Sequence, residues 1–148
     1  MIDKSNVIYS QAGPEDESAI FDLLKELEGD RSKFDIARFY VAKADNNLVG
    51  CIRTKIFAGG CLELASLAVN KNHQGRGIGS RLVEELLLKE AARPIFILTD
   101  LTKESFYNKF NFNMIAPSDL PDAFKKEYDR IINLPFAKNL KVIAMVVR

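Results

Sequence analysis

Leu64-Ala65-Ser66-Leu67-Ala68-Val69-Asn70-Lys71-Asn72-His73-Gln74-Gly75-Arg76-Gly77-Ile78-Gly79 is the stretch that decides the fold. It opens inside a long β-prone segment, Cys61 to Val69, with Leu62, Leu64, Leu67 and Val69 as its apolar content. It then turns polar and glycine-rich from Asn70 to Gly79. From Ile78 the period changes: Ile78, Leu82, Val83, Leu86, Leu87 and Ala91 fall on one broad helical face. Pro94 cannot continue that helix, and Ile95 to Leu98 is a short unbroken apolar run, the mark of a strand buried on both faces. Strand, helix, strand in that order predicts a crossover, with the fifth strand parallel to the fourth.

Upstream, Val7 to Gln11 reads as a first strand. Pro14 suits the first turn of a helix carrying Ile20, Phe21, Leu23, Leu24 and Leu27, which Gly29 stops. Asp30 to Ala37 reads either as a short helix or as a loop. Arg38 to Lys43 and Leu48 to Ile56 are strands joined by a tight turn at Asp45-Asn46-Asn47, and Gly59-Gly60 turns the chain again into Cys61. These segments predict an antiparallel meander. Downstream, Thr102 is placed to cap a short helix with Phe106, Tyr107 and Phe110. Phe112 to Ile115 is a further strand, and Ser118 or Asp119 can cap a helix with Phe124, Tyr128, Ile131 and Ile132 along one side. Leu140 to Val147 closes the chain as a β-prone strand. The expected class is α/β: a mixed, mostly antiparallel sheet of six or seven strands, with about four helices on both faces, forming one domain over 1–148.

Composition narrows the function. The 148 residues carry 21 Lys and Arg against 20 Asp and Glu, a net charge of +1. That balance argues against a nucleic-acid or anionic-membrane partner, though it leaves room for a local basic site. No apolar run reaches the roughly 18 residues of a membrane span, and Met1 to Ser10 lacks a basic segment followed by an apolar core. Cys51, Cys61 and the single His73 cannot make a four-ligand zinc site, so no metal is expected. The two cysteines, not opposite one another in their hairpin, read as inert thiols suited to a reducing cytoplasm. His73 lies among polar loop residues and reads as an exposed loop position.

The chemistry concentrates at Gln74-Gly75-Arg76-Gly77-Ile78-Gly79. A helix's first N–H groups lack intrahelical acceptors and sit at its positive end, and small residues let an anion approach them. Arg76 can add a charge-assisted contact. A Walker A loop would need Gly-Lys-Ser or Gly-Lys-Thr, and the alternating Gly75, Gly77 and Gly79 do not match the dinucleotide spacing. An ordinary glycine turn before a helix remains the other reading of these residues alone.

The whole stretch from Leu64 to Gly79 resembles the Gcn5-related N-acetyltransferase (GNAT) family. That family has a strand ending in Leu-Ala-Val, a short loop, then Gln/Arg-x-x-Gly-x-Gly/Ala, which Gln74, Gly77 and Gly79 match. Its second signature, an aromatic pair followed by Gly-Phe, resembles Phe106-Tyr107-Asn108-Lys109-Phe110-Asn111-Phe112, with Asn111 in place of Gly. Asn tolerates the left-handed backbone that turn needs. The Asn common after the family's fifth strand is missing; Thr99, Asp100 and Thr102 occupy that region.

The resemblance implies a GNAT fold, its fourth and fifth strands splayed, and acetyl-CoA as cofactor. The pyrophosphate would rest on the backbone of Gln74, Gly75, Arg76, Gly77, Ile78 and Gly79, with Ser80 close and Arg81 near. The pantetheine arm would lie along Leu67, Ala68 and Val69, with Thr99, Thr102 and Phe106 as further contacts. Glu63 matches the family's general base and Tyr107 the acid that protonates the leaving thiolate. A backbone N–H near Leu67 or Ala68 would stabilise the oxyanion. On the residues alone, Glu63 could also face solvent and Tyr107 could simply pack on its helix. Arg53 and Lys55 share one face of the third strand, where they could hold a substrate carboxylate or be surface charges. Lys125-Lys126-Glu127 and Lys138 to Lys141 read as solvated faces. A finer resemblance, to bacterial amino-acid acetyltransferases of the N-acetylglutamate synthase type, implies a small amine or amino acid as acceptor. A protein or peptide amine, or a non-catalytic CoA-binding module, are the alternatives. Family habit also implies a homodimer, for which the sequence shows no exposed seam.

Overall fold

The computed structural model describes residues 6–148. The leaderless reading of Met1–Ser10 therefore falls in part on residues 1–5, outside the described residues. The chain divides into two compact units, one comprising the chain up to Thr54 with Ala65–Ala91, the other Lys55–Leu64 with Ala92–Arg148.

In the first unit, β1 (Val7–Gln11) pairs antiparallel with β2 (Phe39–Ala44), and β2 with β3 (Asn47–Phe57). Asp45 and Asn46 join β2 to β3 with φ of 51° and 65°. Two successive left-handed residues are what a two-residue type I′ hairpin turn requires. The ambiguous segment after Gly29 is irregular, with one 3-10 turn at Ile36–Arg38. Helix α1 (Glu17–Glu26) buries Ile20, Leu23 and Leu24 in a cluster with Phe39, Val41 and Cys51. Helix α2 (Ile78–Lys89) buries Ile78, Leu82, Val83 and Leu86. A Cβ on Gly50 would stand 3.1 Å from Leu82 Cδ1 and 3.2 Å from the Ala68 carbonyl oxygen, so the bare glycine lets α2 lie close on β3. Gly50 and Cys51 point to opposite faces of β3, which puts α1 and α2 on opposite faces of this unit's strands. Because α2 ends at Lys89, Ala91 lies beyond the helix face on which it was expected and is exposed.

In the second unit, β5 (Ile95–Asp100) runs parallel to β4 (Cys61–Val69), with Leu62 opposite Ile95 and Glu63 opposite Phe96. The crossover expectation thus holds. β7 (Val142–Val147) lies between β5 and β6 (Asn113–Ile115), antiparallel to both. The described residues form one seven-stranded mixed sheet of order β1-β2-β3-β4-β5-β7-β6, with two more helices, α3 (Glu104–Asn108) and α4 (Asp122–Ile132). Phe124 of α4 meets Phe57 and Phe96 with ring centroids 5.8 and 5.3 Å away.

Two expected caps are corrected. The N-cap of α3 is Lys103, because a 3-10 turn at Leu101–Lys103 precedes the helix. The Thr102 hydroxyl instead donates to Asp100 Oδ2 at 2.5 Å. The N-cap of α4 is Pro121, while Ser118 and Asp119 belong to a separate 3-10 turn, Pro117–Asp119. Pro121 keeps the residue before it out of the helical region, and Leu120 is extended at ψ 146°. No described helix is long and apolar enough to cross a membrane.

Candidate active site

The glycine turn lies in the first unit and is closed by local hydrogen bonds. Gln74 Nε2 donates to the Val69 carbonyl at 2.9 Å, and the Asn70 side chain accepts from Asn72 N at 2.9 Å. His73 N donates to the Asn70 carbonyl at 2.8 Å, folding Lys71–His73 into a 3-10 turn. That fold makes His73 half-buried, a correction to its expected exposure. Gly77 is the N-cap of α2 at φ 84°, a left-handed conformation that glycine adopts without strain. It has no side chain with which to cap the helix. The first intrahelical bond comes from Arg81 N to the Gly77 carbonyl at 3.1 Å. The N–H groups of Ile78, Gly79 and Ser80 therefore lie ahead of the helical ladder, at the positive end of a 12-residue helix. Arg76 Nη1 and His73 Nδ1 are buried polar atoms with no hydrogen-bond partner among the described residues. An anion placed beside Arg76 would give that guanidinium donor a partner. Arg81 is directed along the helix instead, to Glu85 at 3.0 Å and over the Tyr9 ring at 5.2 Å.

Just before the turn, Ala68 is buried and Leu67 and Val69 are half-buried. Ser66 has φ 57° in the middle of β4, a left-handed interruption of an extended strand. Its hydroxyl accepts from Arg53 Nε at 2.8 Å and donates to the Asp30 carbonyl at 2.8 Å. Arg53 also donates to the carbonyls of Lys33 and Asp30, each at 3.1 Å.

The second unit holds Glu63, Tyr107, Thr99, Thr102 and Phe106. Tyr107 is buried, with its ring edge-on to Phe106 at 5.0 Å and Phe112 at 5.9 Å. Burial pushes its hydroxyl up to about 12. Asn111, two residues before Asn113 of β6, has φ 68°, the left-handed turn expected of it. Glu63 is buried rather than solvent-facing and has a cation partner that sequence reading did not give it. Lys55 Nζ lies 3.7 Å from Glu63 Oε1 and donates to Glu127 Oε2 at 3.1 Å. Arg130 Nε lies 2.6 Å from Glu127 Oε1.

Three expectations are corrected here. Arg53 and Lys55 are not surface charges, since each side chain is 1% exposed. Their donors are spent on carbonyls, a hydroxyl and carboxylates of this chain, not held out for a substrate carboxylate. Glu127 is buried on α4, not on a solvated face. Burial alone would push its carboxyl up, but the hydrogen bonds and charges of Arg130 and Lys55 together hold it below the usual carboxylate range. The missed pairing had a signal: Lys55 and Glu63 stand four residues before and four after Gly59, so a hairpin symmetric about that glycine brings them face to face.

Residues 35–114 match the family described as Acetyltransferase (GNAT) domain. The chain belongs to the GNAT family. Among its GNAT relatives is an amino-acid acetyltransferase of Neisseria meningitidis serogroup A, 34% identical over 97 residues, which cover 63% of this chain. This chain spans 22% of that relative's length. The crystal structure of N-acetylglutamate synthase from Neisseria gonorrhoeae, complexed with coenzyme A and N-acetyl-glutamate, is similar at TM-score 0.76 and 25% identity, over 96% of this chain and 35% of that one. Rv2747 from Mycobacterium tuberculosis, solved with CoA and NLQ, shares the fold at TM-score 0.72 and 21% identity, over 95% of this chain and 98% of its own. The GNAT sheet expected from the sequence is thus the one the chain adopts.

Proposed function

We propose that this GNAT chain, read as one domain over 1–148, is an acetyl-CoA-dependent N-acetyltransferase acting on the primary amine of a small molecule or amino acid. The observation that carries the reading is the uncapped start of α2, where Ile78, Gly79 and Ser80 offer N–H donors beside Arg76. That is the chemistry of a pyrophosphate cradle, and it takes the residues Gln74 to Ser80 as binding groups. Leu67, Ala68 and Val69 are the strand along which the pantetheine arm runs, with Thr99, Thr102 and Phe106 as further contacts. The acceptor class is supported by the Neisseria relatives, an amino-acid acetyltransferase and an N-acetylglutamate synthase.

A primary amine is mostly protonated at neutral pH, so it must lose a proton before it attacks. Glu63 takes that proton, directly or through water. The amine nitrogen would then bond to the thioester carbonyl carbon, and its second surplus proton would leave as the C–S bond breaks. The departing sulfur, a thiolate, would receive the proton of Tyr107, which is replaced by the one the nitrogen sheds, so that only the proton on Glu63 is released to solvent. A hydroxyl pushed up to about 12 is fully protonated at neutral pH, as a donor must be. It is a poorer acid than a thiol of about 8.5. Its first contribution is therefore a hydrogen bond to the sulfur as negative charge builds there. The same reading puts the protein in a reducing cytoplasm, which suits the free thiols of Cys51 and Cys61, and makes it a homodimer by family resemblance.

The test is a panel of amino acids, polyamines and peptide N-termini, read by CoA thiol release and by product mass. A small amine or amino acid should turn over; CoA binding without turnover on any amine would leave only a binding module, and turnover confined to peptides would move the acceptor class. On the active amine, Tyr107→Phe should lower kcat tenfold or more with little change in KM for acetyl-CoA. Glu63→Gln should remove or shift the rise of rate with pH.

A further inference from the structure

Four ionisable side chains of the second unit stand in a line of alternating sign. Arg130 is at the rim, 46% exposed; Glu127 is 5% exposed, Lys55 1% and Glu63 8%. The steps along the line are 2.6 Å, 3.1 Å and 3.7 Å. The first two are hydrogen bonds, while the last is longer and mainly electrostatic. The Lys55 ammonium also lies 5.4 Å from the centre of the Phe57 ring, a cation–π contact. Burying an ammonium is expensive unless partners surround it. This one is shared between two carboxylates, hydrogen-bonded to Glu127 and ion-paired with Glu63.

We propose that Lys55 is the positioning residue for Glu63, and that Glu127 sets how strongly it acts. Lys55 fixes the Glu63 carboxylate and keeps it ionised in a buried setting, while Glu127, itself anchored by Arg130, takes a share of the same ammonium and so limits how far Glu63 is weakened as a base. This deepens the proposed function and rests on Glu63 being the base. The charged and titratable groups around Glu63 include Lys55 from β3, Glu127 with Arg130 behind it from α4, and Cys61 on β4. Burial and the nearby Glu63 charge both push the Cys61 thiol up, so it stays neutral. On β5 the residue opposite Glu63 is Phe96, which carries no charge.

The line makes a signed prediction. Removing the cation leaves a buried carboxylate without its support, so Lys55→Met should raise the pH at which Glu63 ionises by at least one unit. Removing the competing carboxylate frees Lys55 for Glu63, so Glu127→Gln should lower it. A purely structural role would not move the two variants in opposite directions. The measurement is a carbon-13 NMR titration of the side-chain carboxyl in protein labelled at glutamate, with the Glu63 signal identified by its loss in Glu63→Gln. No ligand is needed. The acid limb of kcat/KM, taken with acetyl-CoA and the most active amine of the panel, should follow the same order, and Lys55→Arg should restore the wild-type limb more closely than Lys55→Met. Unchanged titration in Glu127→Gln, or shifts of the same sign in both variants, would overturn the proposal. If Lys55→Met does not fold, the Glu127→Gln shift alone decides. Full activity of Glu63→Gln would overturn it by a different route, by removing the base while leaving the titrations intact.

Discussion

Arg53 and Lys55 are two residues apart on β3 and equally buried, yet their surroundings are opposite in kind. Arg53 is held mostly by neutral acceptors: the Ser66 hydroxyl and the carbonyls of Lys33 and Asp30, with the Asp30 carboxylate farther off at 3.6 Å. Lys55 is held by two carboxylates, Glu63 and Glu127. The difference follows the shapes of the two cations. A guanidinium presents several donors in a fixed fork and can hold three acceptors on two chain segments at once. An ammonium is a compact point charge, and it serves where the field matters more than the direction. One cation therefore braces backbone, around the left-handed Ser66 and the loop after α1. The other tunes charge around a candidate base.

The contrast can be broken from either side. The largest effect should come from Lys55→Met, which takes the shared cation from two buried carboxylates and leaves Glu127 with Arg130 alone. Breaking such a site typically costs about 3–5 kcal/mol, and a urea midpoint at pH 7 would read it. The loss should shrink as the pH is lowered. With the cation gone, the folded state raises the carboxylate pKa values, and a group raised on folding is least destabilising once it is protonated. A loss independent of pH would place the damage in packing. Arg53→Lys should cost less, about 1–3 kcal/mol, because charge is kept while a fork that reached three acceptors is lost. That loss should be nearly flat between pH 5 and 8, since carbonyls and a hydroxyl do not titrate there; a loss that changes only as the pH falls through the carboxylate range, below about 5, would mean that the Asp30 ion pair dominates. The smallest effect belongs to a site with neither cation. Asn111→Gly should lie within about 0.5 kcal/mol of wild type, and Asn111→Val should cost about 1–2 kcal/mol, because only the latter pays the full strain of a left-handed backbone.

The same contrast explains what could be read from the sequence. β1 and β4 begin and end where the apolar and polar letters change, and the parallel β5 followed from the order strand, helix, strand. The turn at Asp45-Asn46 and the left-handed Asn111 were legible because few residues tolerate positive φ. The caps were not: Thr102 found a nearer acceptor in Asp100, and Pro121 displaced Ser118 and Asp119. Lys55, Arg53 and Glu127 look like surface residues by type. Their burial depends on partners that lie 8 to 72 positions away for Lys55 alone; the nearer is traceable through the hairpin about Gly59, while no local pattern encodes the meeting with Glu127. Ser66 is also silent in sequence, since nothing in a β-prone run announces a residue that leaves the strand.

The place of β7 in the sheet bears on how the chain is made. Val142–Val147 is hydrogen-bonded on one side to β5 and on the other to β6, although both precede it in the chain. As the protein leaves the ribosome, β5 and β6 emerge first, each with an unpaired edge that only the later strand can fill. Such edges invite pairing with other nascent chains. A ribosome stalled before residue 142 would thus release both edges uncovered, and a message cut there should yield aggregate rather than a smaller folded product.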